Sequence, residues 1–136
     1  MTTAVVESLR ELGVKKLAVG TAYSDPVNQV LHKYLTDSGF QVLAMQGLQK
    51  TDASEINFIT SDIPYRLARE VYSQAPEADG IFISCGRLRG LDFIDRLENE
   101  IGKPVTNSNQ AAVRAALKLV DAWQPVQGYG RLLAMA

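Results

Sequence analysis

Short apolar strands alternate with amphipathic helices along almost the whole chain, and this alternation limits the folds that are open to it. The strands are predicted at residues 17–20, 40–44, 80–84 and 104–106, and helices precede, separate and follow them. Consecutive strands that are joined by helical crossovers pair in parallel, and the crossover helices cover both faces of the sheet. The sequence therefore predicts an α/β protein, a flavodoxin-like three-layer sandwich with a four-stranded parallel sheet.

The predicted helices have recognisable starts and ends. Asp25 followed by Pro26 predicts a helix start with Asp25 as the cap, and Gly39 and Gly102 predict helix ends. The final helix carries an apolar stripe that we expect to face the core: Ala112, Val113, Ala116, Leu117 and Val120. Residues 46–60 predict a loop with one helical turn. We expect one α/β domain over residues 1–123 and an irregular C-terminal tail over residues 124–136.

The composition excludes several classes of partner and site. The chain of 136 residues has a net charge of −1, so it presents no large charged field for nucleic acid or a membrane surface. One cysteine and one histidine allow no intrachain disulfide and argue against a zinc site, and we expect no metal. The N-terminus shows no leader pattern, and no apolar run is long enough to cross a membrane, so we expect a cytoplasmic protein.

Three stretches rich in small and hydrogen-bonding residues follow predicted strands, at residues 20–24, 84–88 and 106–109. Ligands of open α/β sheets bind beyond the carboxyl ends of the strands. Each stretch also precedes a helix, whose first backbone N–H groups favour an anion. The pattern predicts a pocket for a carboxylate or a phosphate. No glycine-rich dinucleotide loop or P-loop follows a strand.

The only cysteine, Cys85, lies in one of these stretches, in "SCGRLRG". Gly86 lets the backbone approach a ligand, and Arg87 and Arg89 would stabilise a thiolate and attract an anionic substrate. A free cysteine also commonly fills space as a small apolar side chain, and position alone leaves both interpretations open.

The other candidates have equally plain structural explanations. Tyr23 is either a donor to a substrate oxygen or an ordinary amphipathic surface residue. Asn107 and Asn109 are possible ligand contacts, but Asn109 is also expected to cap the final helix. His32 falls off the apolar stripe of its helix, and we expect it to be exposed to solvent.

Three stretches together resemble the second half of the arylmalonate decarboxylase family: "LRELGVKKLAVGTAYSDPVNQVLHKYL", "APEADGIFISCGRLRGLDFIDRLENEIGKPV" and "GYGRLL". "SCGRLR" and "NSNQA" are also similar to maleate isomerases, within the aspartate/glutamate racemase superfamily. Racemases of this superfamily commonly have Thr-His where this chain has Gly86-Arg87. The resemblance therefore favours decarboxylation or isomerisation of a dicarboxylic acid over amino-acid racemisation.

The resemblance implies a mechanism without cofactors, in a cleft between two similar α/β halves. It implies that Cys85 is a proton donor or nucleophile at the substrate's α-carbon. Tyr23, Ser84 and the Gly86 amide would donate to enediolate oxygens. The remaining substrate-binding candidates are Thr21, Arg87, Arg89, Asn107 and Asn109.

The family's first half is missing from this sequence, so two hypotheses stand. The first is a decarboxylase or isomerase acting on a small (aryl)malonate- or maleate-like dicarboxylic acid, with a homodimer rebuilding the cleft. The second is a catalytically inactive half-domain or fragment that binds a small carboxylate or a protein partner.

Overall fold

The computed structural model of this chain contains a sheet with helices on both faces. It describes residues 2–84, 87–88 and 90–136, so Cys85, Gly86 and Arg89 lie outside the described residues. The elements in chain order are α1 (Thr2–Glu11), β1 (Lys16–Thr21), α2 (Asp25–Asp37), β2 (Gln41–Gly47), α3 (Ala53–Asn57), α4 (Asp62–Gln74), β3 (Gly80–Ser84), α5 (Leu91–Ile101), β4 (Val105–Asn107), α6 (Ser108–Leu119) and α7 (Arg131–Ala134).

Among the described residues the strands form one four-stranded parallel sheet in the order β2-β1-β3-β4. This confirms the predicted fold class. In the register of the sheet Thr21 pairs with Ser84 and with Gly47, and Ile83 pairs with Asn107. The carboxyl ends of the strands therefore meet at one edge of the sheet.

Alternate residues of the central strands point to opposite faces and build two apolar clusters. Ala18, Ile81 and Ile83 pack with side chains of α3, α4 and α5. Leu17 and Phe82 belong to the second cluster, with side chains of α1, α2, α6 and α7. Because both faces are covered, the strands read as continuous apolar runs in the sequence.

Two predicted helix caps are wrong. The residue that precedes α2 is Ser24, so Asp25 lies inside the helix. Asn107, not Asn109, caps α6, and its side-chain oxygen accepts a hydrogen bond from the Gln110 backbone N–H at 2.8 Å. Helix α2 begins one residue and α6 two residues earlier than predicted. For α6 the reason is that Asn107 is both the last residue of β4 and the helix cap.

The predicted inward stripe of the final helix lies mostly on its outer face. Val113, Leu117 and Val120 are 55%, 36% and 70% exposed. The helix instead buries Ala111 and Arg114, and an Arg114 Nη donates to Glu11 of α1 at 2.6 Å. A salt bridge to a neighbouring helix orients α6, and hydrophobic spacing alone does not reveal this.

The segment predicted as an irregular tail contains α7 and packs against the domain. Leu132 is completely buried in the cluster that includes α1 and α2. The Trp123 ring nitrogen donates to the Met135 carbonyl at 3.0 Å, and the Gln110 side-chain amide donates to the Tyr129 carbonyl at 2.7 Å. Residues of this segment are therefore part of the core and of its hydrogen-bond network.

Candidate functional site at the carboxyl edge of the sheet

Tyr23 and Ser84 meet at the carboxyl edge of the sheet. The Ser84 hydroxyl donates to the Tyr23 hydroxyl over a long 3.4 Å. Both residues, together with Ser108, line a small cavity of about 80 Å³. Because Cys85 directly follows Ser84 in the sequence, the tyrosine hydroxyl lies next to the strand end that leads into the cysteine.

Thr21 is completely buried, and its side chain is engaged by protein groups. Its hydroxyl donates to the Asn28 side-chain oxygen at 2.6 Å and accepts from the Tyr23 backbone N–H at 3.1 Å. Among the predicted site residues, Thr21 thus contacts the backbone of another candidate, Tyr23.

A second segment holds the turn that carries Tyr23. The backbone N–H groups of Leu48, Gln49 and Lys50 donate to the carbonyls of Thr21, Tyr23 and Ala22 at 3.0, 3.2 and 2.9 Å. Gln49 has a φ of 60°, which is uncommon for a residue with a side chain. Its side-chain amide exchanges hydrogen bonds with Asp25, so the turn and the segment are joined by side chains as well.

Three other predicted site residues line a larger cavity of about 490 Å³: Arg87, Asn107 and Asn109. Leu91, Val113 and Leu133 supply apolar walls. Because Leu133 lies in α7, the C-terminal segment forms part of this cavity. The described lining combines the cation of Arg87, the carboxyl group of Asp92, amide groups and an apolar wall.

Arg87 and Asn107 are held differently in this cavity. Arg87 is exposed, and its guanidinium donates to the Asn57 side-chain oxygen at 3.2 Å. Asn107 is buried as the cap of α6. A Cβ at Gly90 would lie 2.7 Å from Asn107 Nδ2, so this glycine leaves room for the asparagine amide.

The buried carboxylate of Glu98 holds two elements that contribute residues to the larger cavity, β4 and α7. The two oxygens of Glu98 accept from the backbone N–H groups of Val105 and Arg131, each at 2.8 Å. Burial raises the pKa of Glu98 above its ordinary value, and the two backbone donors oppose that rise. The carboxylate fixes the start of β4 and the start of α7, which border the cavity.

Other kinds of site are not found in the described part of the chain. No three histidine, cysteine, aspartate or glutamate side chains among these residues come together as a metal-binding group. None of the described helices combines the length and the apolar character that a membrane crossing requires.

Comparison with known protein families shows which family the chain belongs to. Residues 1–133 match the family model described as arylmalonate decarboxylase. The chain belongs to this family. The resemblance stated from the sequence motifs is thereby confirmed.

Two relatives illustrate the range of the family. An arylmalonate decarboxylase from Bordetella bronchiseptica is 35% identical over 133 residues, which is 97% of this chain and 55% of that protein. A maleate isomerase from Nocardia farcinica is 30% identical over 131 residues, which is 96% of this chain and 51% of that protein. The chain therefore spans about half the length of these relatives.

Solved structures of the same two kinds of protein share the fold. A crystal structure of arylmalonate decarboxylase has a TM-score of 0.89 and 34% identity, covering 97% of this chain and 58% of that one. A maleate cis-trans isomerase variant from Nocardia farcinica, with a covalently bound succinylcysteine intermediate, has a TM-score of 0.88 and 28% identity. That match covers 96% of this chain and 53% of the isomerase.

Three residues at this edge were missed in the search for functional residues along the sequence: Asn28, Gln49 and Ser108. Ser108 could have been found, since it lies between Asn107 and Asn109 in a stretch already singled out. A polar asparagine amid the apolar spacing of α2 was a weaker signal for Asn28. Gln49 gave no signal, because its role depends on the path of the loop after β2.

Proposed function

We propose that this family member acts at the α-carbon of a small dicarboxylic acid of the arylmalonate or maleate type, without a cofactor, with Cys85 as proton donor or nucleophile. The observation that carries the proposal is the family match over residues 1–133. The match includes the "SCG" motif, whose serine, Ser84, contacts Tyr23. The relatives named arylmalonate decarboxylase and maleate isomerase support this class of substrate.

In a decarboxylation, the bond between the α-carbon and one carboxylate breaks and carbon dioxide leaves. The electron pair stays on the substrate as an enediolate. Tyr23, Ser84 and the Gly86 amide are proposed to donate hydrogen bonds to its oxygens, which lowers the barrier to forming the charge. The Cys85 thiol then gives its proton to the α-carbon, and the thiolate regains a proton from water.

In an isomerisation, the Cys85 thiolate would instead add to one alkene carbon of the dicarboxylate. The π electron pair moves onto the neighbouring carboxylate as an enediolate, and the former double bond rotates as a single bond. The electron pair then returns, the C–S bond breaks, and the double bond reforms as the thiolate leaves. A relative whose structure holds a succinylcysteine supports a cysteine as nucleophile in this family. Both routes need the same oxyanion donors, so the site residues do not distinguish them.

The remaining site residues are assigned to binding. Arg87 and Arg89 would attract a carboxylate, and Asn107 and Asn109 would hydrogen-bond it from the start of α6. The 490 Å³ cavity with its apolar wall supports this assignment for Arg87 and the two asparagines. Thr21 is buried, so its proposed role in binding runs through Tyr23.

Because the chain spans about half the length of its relatives, the proposal includes self-association. A second copy would supply the opposite wall of the cleft, with both Cys85 thiols in one shared space. The exposed apolar stripe of α6 is a suitable contact surface, since Val113 belongs both to the stripe and to the wall of the larger cavity.

The test is turnover of an aryl malonate, measured as carbon dioxide release, and of maleate, measured as fumarate formed, on the same preparation. We expect one of the two activities, its loss in Cys85→Ala, and its retention in the exposed control Val30→Ala. Activity that survives Cys85→Ala would contradict the assigned role of the cysteine.

A second candidate function is a non-catalytic domain that binds a small carboxylate, and the cavity lined by Arg87, Asn107 and Asn109 favours it. Calorimetric titration with phenylmalonate and maleate separates the two. Binding that depends on Arg87 without turnover at any protein concentration identifies the binding domain, whereas turnover excludes it.

A further inference from the structure

The strongest unassigned feature is a buried polar group beneath the Tyr23 turn. We propose that Asn28, acting through Thr21 and beside Gly47, is a positioning residue that sets where the Tyr23 hydroxyl lies. The inference deepens the proposed function and rests on it, because it assigns Asn28 and Gly47 to the oxyanion side of that site.

The hydrogen bonds of Thr21 give Asn28 its role. A hydroxyl has one proton and two acceptor lone pairs. The Thr21 proton goes to the Asn28 side-chain oxygen at 2.6 Å, which turns the lone pairs toward other donors. The Tyr23 backbone N–H uses one of them at 3.1 Å. Asn28 thereby fixes the hydroxyl rotation that the Tyr23 backbone requires.

Burial makes this arrangement exacting. Thr21 has no exposed surface, and Asn28 is 6% exposed. A buried hydroxyl without its acceptor would lose a hydrogen bond that water cannot replace, and hydrogen bonds are stronger in such surroundings. The pair therefore has one favoured geometry rather than several.

Gly47 provides the space for this geometry. It pairs with Thr21 across the β1–β2 register. A Cβ at position 47 would clash with the Tyr23 carbonyl oxygen and would lie 2.5 Å from Asn28 Nδ2. Only a residue without a side chain lets both groups approach the β2 backbone, because real Cβ atoms do not come this close.

The Tyr23 backbone is held on its other side as well. Its carbonyl accepts from the Gln49 N–H at 3.2 Å, while its own N–H is held by Thr21. Both backbone polar groups of Tyr23 are thus fixed, and the side chain leaves the turn toward Ser84, with its hydroxyl 3.4 Å from the serine oxygen. A change at Thr21 or Asn28 should therefore move the phenol ring and not only weaken the fold.

The closing experiment measures Tyr23 directly, in the intact chain with carbon-13 at the tyrosine Cζ. The chain has five tyrosines, and the Tyr23 signal is the one that Tyr23→Phe removes. Thr21→Val removes the hydroxyl at nearly constant shape, whereas Thr21→Ser keeps it. We expect the first to shift or broaden the Tyr23 signal and the second to leave it in place.

Thr36→Val is the matched control, because the Thr36 hydroxyl bonds within α2 to the His32 carbonyl at 2.8 Å and is exposed. It should leave the Tyr23 signal unchanged. If Thr21→Val fails to fold, Asn28→Ala tests the same Thr21–Asn28 hydrogen bond by removing its acceptor. We expect it to shift or broaden the Tyr23 signal in the same way. A folded Thr21→Val or Asn28→Ala with an unchanged Tyr23 signal would overturn the inference.

Turnover adds an independent readout. Loss of the positioning should lower kcat, by up to about 100-fold for a displaced catalytic group, with a smaller change in KM and with recovery in Thr21→Ser. A wild-type chain with no turnover contradicts the proposed function, and the Tyr23 signal then still decides whether Asn28 and Thr21 position the tyrosine.

Discussion

The Glu98 carboxylate accepts a hydrogen bond at 2.8 Å from the backbone N–H of Arg131, which lies 33 positions later in the chain. Its other oxygen holds the Val105 N–H at the start of β4. Just before Arg131, a Cβ at Gly130 would lie 2.6 Å from a methyl group of Ile94, so the backbone approaches α5 closely. The C-terminal segment is thus anchored at the point where it enters α7.

The first prediction concerns the core residue that this anchor places. Leu132 is completely buried. Leu132→Ala should lower the free energy of unfolding by about 2–5 kcal/mol, since it removes buried methyl groups and leaves a cavity. Urea denaturation measures the change. Leu119→Ala is the matched control, because Leu119 is 86% exposed, and it should change the value by less than about 0.5 kcal/mol.

Equal effects of the two substitutions would mean that residues 124–136 do not pack as described. The domain boundary that we placed after residue 123 would then stand. A large effect of Leu132→Ala alone extends the folding unit through α7, which the buried position of the side chain already favours.

The second prediction concerns pH. The Asp79 carboxylate accepts from the backbone N–H groups of Lys16 at 3.0 Å and Lys15 at 3.2 Å, which lowers the pKa of Asp79 below 3.8. A lowered pKa means that the folded state favours the charged form. The resulting stabilisation is present above pH 3.8 and is lost as the pH falls through the pKa of the folded state.

Asp79→Asn should therefore destabilise the protein by about 1 kcal/mol near neutral pH, where two charge-assisted hydrogen bonds are weakened. The difference from wild type should shrink as the pH falls below 3.8. Urea unfolding of wild type and Asp79→Asn, near neutral pH and below pH 3.8, measures this difference in the free energy of unfolding. A difference that stays constant or grows on acidification would show that the carboxylate charge is not the source of the effect.

The third prediction concerns Gly47. Gly47→Ala should destabilise the fold by about 1–3 kcal/mol, because the added methyl group clashes with the Tyr23 carbonyl and crowds the Asn28 amide. Thermal unfolding measures this cost. The same variant should move the Tyr23 signal described above, and a stable Gly47→Ala chain with an unmoved signal would contradict the close approach at this position.

The sequence predicted the sheet because its central strands, β1 and β3, are buried on both faces, so each is a short apolar run such as residues 80–84. The sequence also located the stretches at residues 20–24, 84–88 and 106–109, because parallel strands place their carboxyl ends at one edge of the sheet regardless of how the helices pack. It could not predict the Thr21–Asn28 bond. That contact depends on how α2 leaves the Tyr23 turn, which is a matter of tertiary geometry.

The orientation of α6 escaped prediction for a different reason. Its apolar spacing is real, but Arg114 occupies the inner face, where it pairs with Glu11 and lies 5.5 Å from the centre of the Trp123 ring. A buried arginine is rare and is placed by its partners rather than by periodicity. The apolar stripe of α6, which includes Val113, Leu117 and Val120, is left exposed, and contact with another protein chain would explain it.

The fourth prediction addresses that stripe. If a second copy covers it, the wild-type mass in light scattering should exceed the 14.9 kDa of one chain. The double variant Val113→Lys and Val120→Lys should return the mass to that of a monomer, because two buried and unpaired charges oppose association. At protein concentrations where the wild type is also a monomer, its stability should stay within about 0.5 kcal/mol of wild type, since both side chains are exposed in the single chain.

The control for added charge is Ser73→Lys, because Ser73 is exposed on α4 and α4 packs on the opposite face of the sheet from α6. It should leave the mass unchanged. A wild-type monomer at every concentration would contradict self-association and leave the stripe for a different chain. An oligomer that persists in the double variant would move the contact away from α6. Turnover is measured on Val120→Lys alone, because Val113 also lines the proposed substrate cavity. Loss of the oligomer and of turnover together in that variant would tie the shared cleft to catalysis.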